Sequence, residues 1–484
     1  MHLTIHNLLI RPRSRSIGAS AIVLSLAVAA TAPASAQIRR IGPSVSDTNP
    51  LMGGVPTGTV SPEPIRLTAG DAIFRALDHN LGVLLSEQNT ETARGERWNA
   101  LSRLLPDVSG NVSESVRKNS LEAFGFPLGP GFPSVVGPFN LFDARLSLSQ
   151  TIFNQSAFKE NSAAAHRLAA AKLTYRNARD LVVLVSANLY LQALATEARA
   201  RAVQAQFESS QALHEQATRL QQSGIVAGLD VVRAEVRMST DRQRSTAAAN
   251  DAEKTKLQLA RVIGLPIGQT FTLVNDLPNV PDPTVPLAEA VEQAYRQRPD
   301  YLAAVERLKA TEDMRSAASA ERLPSVKVTS DFGAIGLTAP SSLLTYNVTG
   351  AVSIPIFDAG RTEARVIQAD ADLKRQQAEV ADLKAQVYYD VRTAFLDLES
   401  SRQQMETATR ARDLAAQQLE QSRDRFAAGV ANNIEVVQAQ EAVALATDQF
   451  ISAVYDVNIA KAMLAQSVGT AEDAVRKYLG GPTQ

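Results

Sequence analysis

The sequence predicts a mainly α-helical chain that carries transmembrane β-strands and is built from two copies of one plan. Three observations predict it: a series of segments that occurs twice, two pairs of stretches alternating apolar and polar residues with period two, and long proline-free runs after each pair.

The duplication is read from residues in fixed order. Leu67-Thr68-Ala69-Gly70-Asp71-Ala72 opens a helical pattern that ends at Arg103-Leu104-Leu105-Pro106. Pro286-Leu287-Ala288-Glu289-Ala290 opens another that ends at Glu321-Arg322-Leu323-Pro324. Ala72 answers Ala290 and Pro106 answers Pro324, both 218 residues apart. Ile152-Phe153-Asn154 then answers Ile356-Phe357-Asp358 at an offset of 204, and Gly224, Asp230 and Gly264 answer Gly429, Glu435 and Gly469 at 205. The fall from 218 to 204 places 14 extra residues between Pro106 and Phe153.

At the N-terminus, Arg11, Arg13 and Arg15 precede a short apolar run over 21–30, and Ala34-Ser35-Ala36 offers small residues for cleavage before Gln37. This predicts a removable signal peptide over 1–36, because the run is shorter than the ~20 residues of a spanning helix. A Pro/Gly-rich lead-in follows over 37–66, then a first repeat over 67–266, a linker over 267–284, a second repeat over 285–470 and a tail over 471–484. No other stretch reads as comparably long and charge-free. The mature chain is therefore expected either to be soluble outside the cytoplasm or to enter a membrane as strands.

Each repeat reads helix, strand, strand, long helix, helix. The first helix shows periodic Ile73, Ala76, Leu77 and Leu81, and is stopped by Pro106 or Pro324. On the strands, Val108, Gly110, Val112 and Val116 alternate with Ser109, Asn111, Ser113 and Ser115. Ala144, Leu146 and Leu148 alternate with Asp143, Arg145 and Ser147, and Tyr346, Val348 and Val352 with Asn347, Thr349 and Ser353. The stretch from Val326 to Phe332 alternates less cleanly. The extra residues fall in the turn-rich segment 118–140, whose Phe and Gly content fits an exposed loop at a membrane rim. Asn154 and Asp358 suit helix N-caps. Residues 154–222 allow one helix of roughly 100 Å, and Val380, Leu383, Val387, Val391, Ala394 and Leu398 give the 3/4 spacing of helices wound on neighbours.

Composition excludes several classes of function. Lys+Arg 49 against Asp+Glu 50 gives no reason to expect nucleic acid as a partner, which would favour a strongly basic face. Cys is 0, so no disulfide, thiolate metal site or cysteine nucleophile exists. No phosphate-binding loop, zinc-protease or serine-hydrolase motif is present, and His79, His166 and His214 are far apart in sequence, so neither enzymatic activity nor a metal or other cofactor is expected. Trp98 reads as a packing residue.

Four strands cannot close a barrel, and an open strand edge in lipid leaves unpaired N–H and C=O groups costing several kcal/mol each. Membrane strands therefore require sister copies. Two copies supply eight strands and three supply twelve, and spacing alone does not choose.

The doubled order resembles the outer membrane efflux protein (TolC) family. The matching pieces are Leu67-Thr68 with Asp71-Ala72, the two Leu-Pro boundaries, Ile356-Phe357-Asp358-Ala359-Gly360-Arg361, and Gly228-Leu229-Asp230-Val231-Val232 with Asn433-Ile434-Glu435-Val436-Val437. The resemblance spans about 67–470. It implies a homotrimer with a 12-stranded outer-membrane β-barrel, four strands per chain, above a trimeric α-helical barrel in the periplasm. It also implies a passive exit channel that docks a periplasmic adaptor (membrane fusion) protein and an inner-membrane transporter, for efflux or type I secretion.

The resemblance further points to the hairpin tips. Gly224 and Ile225, with Gly429 and Val430, occupy the adaptor-docking turns; the same glycines also serve simply to end helices. A periplasmic gate is expected at Asp230, Phe426, Glu435 and Gln438. Gln438 stands where the family has a second acid, Phe426 lacks the hydroxyl of the family's lock, and Ala431 replaces its arginine. Asp230 and Glu435 equally suit a helix N-terminus. A different reading is a periplasmic coiled-coil adaptor or scaffold without membrane strands, against which the two strand pairs speak.

Overall fold

In the computed structural model, residues 49–121, 123, 134–224, 226–274, 286–428, 430 and 433–474 are described. The expected signal peptide, the Phe/Gly-rich loop residues 124–133, linker residues 275–284 and tail residues 475–484 lie outside the described residues, as do Ile225, Gly429 and Ala431.

The chain runs β1 (Ile65–Leu67), α1 (Ala69–His79), α2 (Leu81–Ser102), β2 (Asp107–Ser120), β3 (Val135–Phe153), α3 (Gln155–Gln222), α4 (Gly228–Val262) and β4 (Phe271–Leu273). It continues α5 (Leu287–Gln297), α6 (Pro299–Ala320), β5 (Ser325–Gly336), β6 (Leu343–Ser353), α7 (Arg361–Ala427) and α8 (Asn433–Val468). The order from α1 to α4 is repeated from α5 to α8. The two long helices hold 68 and 67 residues, each about 100 Å at ~1.5 Å per residue. Asn154 caps α3 by accepting from the Ala157 amide at 3.0 Å. The expectation for Asp358 is corrected: the N-cap of α7 is Gly360 (φ 83°), and Asp358, two residues further out, accepts from the Thr362 amide at 2.9 Å across the left-handed pair Ala359 and Gly360.

One expectation is corrected. The single opening helix of each repeat is two helices, with extended residues between them at Asn80 (φ −69°, ψ 132°) and Arg298 (φ −61°, ψ 116°). In the second copy Pro299 explains the break, since proline drives the preceding residue out of the helical region. In the first copy Asn80 does it with its side chain: Oδ1 accepts from the Gly82 amide and Nδ2 donates to the Leu51 carbonyl, both at 2.8 Å. Each break receives a glycine from the far end of its repeat. A Cβ on Gly264 (φ 64°) would lie 2.7 Å from the His79 Cβ, and one on Gly469 (φ 82°) would lie 2.8 Å from the Arg298 nitrogen. Left-handed backbone and close approach together require glycine at both places.

A second correction concerns residues 181–195 of α3, in a helix long and apolar enough by composition alone to cross a membrane. Here the apolar side chains are instead a core. Val182, Leu189, Tyr190 and Leu194 pack with Ile73 of α1 and Leu259 of α4, each burial stabilising by about 1.5–3 kcal/mol. β1 and β4 pair in parallel beside them, Ile65 opposite Phe271. The buried Tyr190 hydroxyl lies 2.6 Å from the Val274 carbonyl oxygen and 3.0 Å from that of Leu67. The second copy builds its own core from Val387, Val391, Ala394 and Leu398 of α7, with Ala294 and Leu464, on the 3/4 spacing visible in the sequence.

β2, β3, β5 and β6 form one four-stranded antiparallel sheet in that order. Its register aligns Gly110, Leu146, Phe332 and Tyr346 in one row, and Asn111, Arg145, Gly333 and Thr345 in the next. Apolar and polar rows alternate, so the sheet has one face of each kind. The untidy strand β5 falls into place: Val328 and Phe332 share the apolar face while Lys327 and Asp331 take the polar one. Among the described residues, the outer edges of β2 and β6 have no strand partner.

Candidate functional site

Two regions hold the residues of interest: the four-stranded sheet and the ends of the two helical hairpins, α3–α4 and α7–α8.

The apolar face of the sheet is bare. Val112 is 72% exposed and Tyr346, in the neighbouring apolar row, 78%, part of a face of large apolar groups that water would not favour and hydrocarbon would. The opposite face is organised by charge. Arg145 donates from Nε to Asp143 Oδ1 at 2.8 Å and through Nη1 to Asp331 on the neighbouring strand. The result is a polar wall with a built-in ion-pair network, set on the face expected from the sequence.

At the hairpin ends, Gly224 takes φ 75° and its Cα faces open space, with no atom within 4 Å of a built Cβ. The conformation ends α3 and leaves a smooth turn. Val430 at the other tip is exposed. Of the expected gate residues, Asp230 lies in the first turn of α4 and meets Arg233 of its own helix at 3.4 Å. Glu435 lies in the first turn of α8, 3.6 Å from Arg425 of α7. Phe426 is half-buried and Gln438 is exposed.

Further from the tips the structure brings together residues that sequence reasoning missed. Arg237 on α4 bonds Asp241 at 2.9 Å, one turn on, and also reaches Glu441 on α8; Arg244 stands 3.6 Å from the same Glu441. The Arg237 guanidinium holds the Glu441 carboxyl below the usual carboxylate range. Beside this pair, the Ser209 hydroxyl on α3 accepts from Gln440 Nε2 at 3.0 Å and from Arg423 on α7 at 2.5 Å. Asp241 is fully buried, and Arg237 Nη2, Asp241 Oδ1 and Gln440 Oε1 are buried without a hydrogen-bond partner. This polar layer ties the first hairpin to the second. No single-residue signal marks it, because charges on a long helix ordinarily read as a solvated face.

Among the described residues no group of three or more His, Asp or Glu is placed to hold a metal ion. His166 instead meets Glu306 at 2.7 Å, joining α3 to α6.

The model of the outer membrane efflux protein family matches residues 72–265 and 290–470. The chain is 26% identical over 353 residues to the pyoverdine export outer membrane protein OpmQ of Pseudomonas putida, across 71% of each chain. It is 33% identical over 167 residues to the probable outer membrane lipoprotein SilC of Salmonella typhimurium, across 33% of this chain and 35% of that one. In three dimensions it is similar to the CmeC outer membrane channel of Campylobacter jejuni, with TM-score 0.75 at 18% identity over 83% of this chain and 86% of that one. It is likewise similar to the MtrE outer membrane channel of Neisseria gonorrhoeae in its open state, with TM-score 0.68 at 18% identity over 86% and 95%. The fold is therefore TolC-like.

Proposed function

This chain belongs to the outer membrane efflux protein family, and from that premise we propose how its parts make a passive exit conduit. It is an outer-membrane efflux channel, and its family and fold are those of channels rather than enzymes.

The observation that carries the proposal is the sheet. One face is apolar and bare, the other is polar, and among the described residues both edges are open. In lipid the open edges are intolerable, so β6 of one copy pairs with β2 of the next. Three copies give a closed ring of twelve strands, the assembly that the family resemblance implies. The polar face lines a water-filled bore, and the long helices carry the bore into the periplasm.

The signal peptide over 1–36 directs export, and the two repeats over 67–266 and 285–470 each supply half of a copy's wall. The tips at Gly224, Ile225, Gly429 and Val430 meet a periplasmic adaptor, which joins the conduit to an inner-membrane transporter that supplies the energy. Asp230, Phe426, Glu435 and Gln438 surround the entrance. With Gln438 in place of an acid, the ring carries half the expected charge and favours cations weakly.

Native mass spectrometry of the detergent-extracted protein tests the assembly. Three copies are expected. A single chain released by osmotic shock without detergent would favour the periplasmic scaffold instead.

A further inference from the structure

The duplication gives a template for the contact between copies. Within one chain, the first repeat hands over to the second where β3 pairs with β5 and α3 packs on α6. The equivalent handover, from β6 and α7 to β2 and α2, has no counterpart inside the chain among the described residues.

The residues at the two handovers differ sharply in cover. Phe153 is registered against Val326 of β5 and is 41% exposed. Its equivalent Phe357 is 89% exposed, and Ile356 beside it 94%. On the receiving side, Val326 corresponds to Val108 at the 218-residue offset. On the helices, Asp313 of α6 faces α3 and bonds Lys159 at 2.9 Å. Its equivalent on α2 is Gly95, in the interior of a 22-residue helix with nothing within 4 Å of a built Cβ. A glycine there costs about 0.5–1 kcal/mol and has no explanation within the chain; close approach of another helix supplies one. Trp98 follows three residues on, at the position of Ser316, and it is 61% exposed. Trp98, read from the sequence as a packing residue, is thus left largely uncovered within the single chain.

We propose that Ile356 and Phe357 of one copy pack against Val108 and the Gly95–Trp98 turn of the next, forming an apolar seam where barrel meets helices. The inference rests on the assembly of copies proposed above and names the residues that hold it. Continuity argues for a second copy as the occupant: β6, which precedes Phe357, and β2, which contains Val108, are the two open edges of one sheet. Lipid, the other candidate cover for exposed Trp and Phe at a membrane boundary, is an outcome of the test.

The chain has no cysteine and a single tryptophan, so the test needs no background changes. The Val108→Cys/Phe357→Cys double variant, oxidised in membranes, is expected to give covalent trimers on a non-reducing gel, because the Phe153–Val326 register, carried over to the next copy, sets Phe357 opposite Val108 with Cβ atoms about 4.5–5.5 Å apart, at the outer reach of a disulfide. Each single variant is expected to stay uncrosslinked. In the unmodified assembled protein, Trp98 is expected to emit as a buried indole and to resist both aqueous acrylamide and brominated lipid. A three-copy mass with no crosslink, or with Trp98 quenched by acrylamide as in the dissociated chain, overturns the seam while leaving the assembly standing. Quenching by brominated lipid also overturns it in favour of lipid. A single-chain mass instead overturns the assembly and the seam with it.

Discussion

Arg145 on β3 reaches Asp331 on β5 by passing beside Gly333, the residue registered directly opposite it. A Cβ on Gly333 would lie 2.2 Å from the Ala144 carbonyl oxygen and 2.7 Å from Arg145 Cγ. The glycine is therefore what lets the two strands and the guanidinium share the space. Gly333→Ala is expected to cost about 1–3 kcal/mol through overpacking, read as a lower temperature at which the assembled protein comes apart on a gel.

The same cluster sets the charge of the polar wall. Arg145 is flanked by two carboxylates, Asp143 and Asp331. Arg145→Ala leaves both uncompensated in the bore, so the reversal potential across a salt gradient is expected to move toward cation selectivity. Asp331→Asn is expected to move it the other way.

Arg298 holds the second helix break. It is almost fully buried and bonds Asp300 at 2.7 Å and Asp390 of α7 at 2.9 Å. Burial raises the Asp300 pKa, but the Arg298 guanidinium more than offsets this and leaves the group below its ordinary value. Stability from this pair is thus present above the unfolded pKa of Asp and lost only as pH falls through the lower folded value. Arg298→Ala is expected to cost about 3 kcal/mol, near the low end for a broken buried pair because both carboxylates keep some water. Urea unfolding of the detergent-extracted protein measures it.

Asp180 on α3 gives the opposite pH response. Burial pushes its carboxyl up to about 6, against the pull of the Glu472 amide, which it accepts at 3.2 Å. Arg179 beside it grips the Glu472 carboxylate with bonds of 2.9 and 2.7 Å. A folded pKa above the unfolded one contributes stability that is complete below the unfolded value, near 4, and lost as pH rises through about 6. Hydrogen exchange of amides 471–474 is therefore expected to show stronger protection at about pH 5 than at about pH 7.5, after correction for intrinsic rates. Asp180→Asn should flatten that difference, with a gain above pH 6 of at most about 3 kcal/mol.

The polar layer at Arg237, Asp241 and Glu441 predicts a larger effect on the entrance than the tip acids have. Losing a charge-assisted hydrogen bond between two packed elements costs about 1.5–3 kcal/mol, roughly a ten- to hundredfold shift in an equilibrium that depends on it. Glu441→Gln is expected to raise the open-to-closed ratio by such a factor in single-channel records, and Glu435→Gln to change it less.

Much of this architecture is legible in the chain. Period-two alternation marks β2, β3 and β6, and the offsets of Pro106, Phe153 and Gly264 mark the duplication. The helix breaks were half legible. Arg298-Pro299 carries a physical signal that the 218-residue offset transfers to Asn80, whose own signal is an ordinary capping side chain. The β1–β4 pair was not legible, because three residues meet three others about 200 positions away. Nor was the tie from Arg237 to Glu441, since only packing distinguishes a buried arginine on a long helix from a solvated one. Gly224 is legible as a helix end by its left-handed backbone, while the docking proposed for the tips depends on a partner surface that no residue here encodes.

The most direct test of the account is single-channel recording from the purified, detergent-extracted protein in a planar bilayer. Stable, step-like conductance of one unit size is the predicted result, because sister sheets sealed edge to edge enclose one polar bore. Folded protein that inserts and gives no steps, or only irregular leakage, would contradict it.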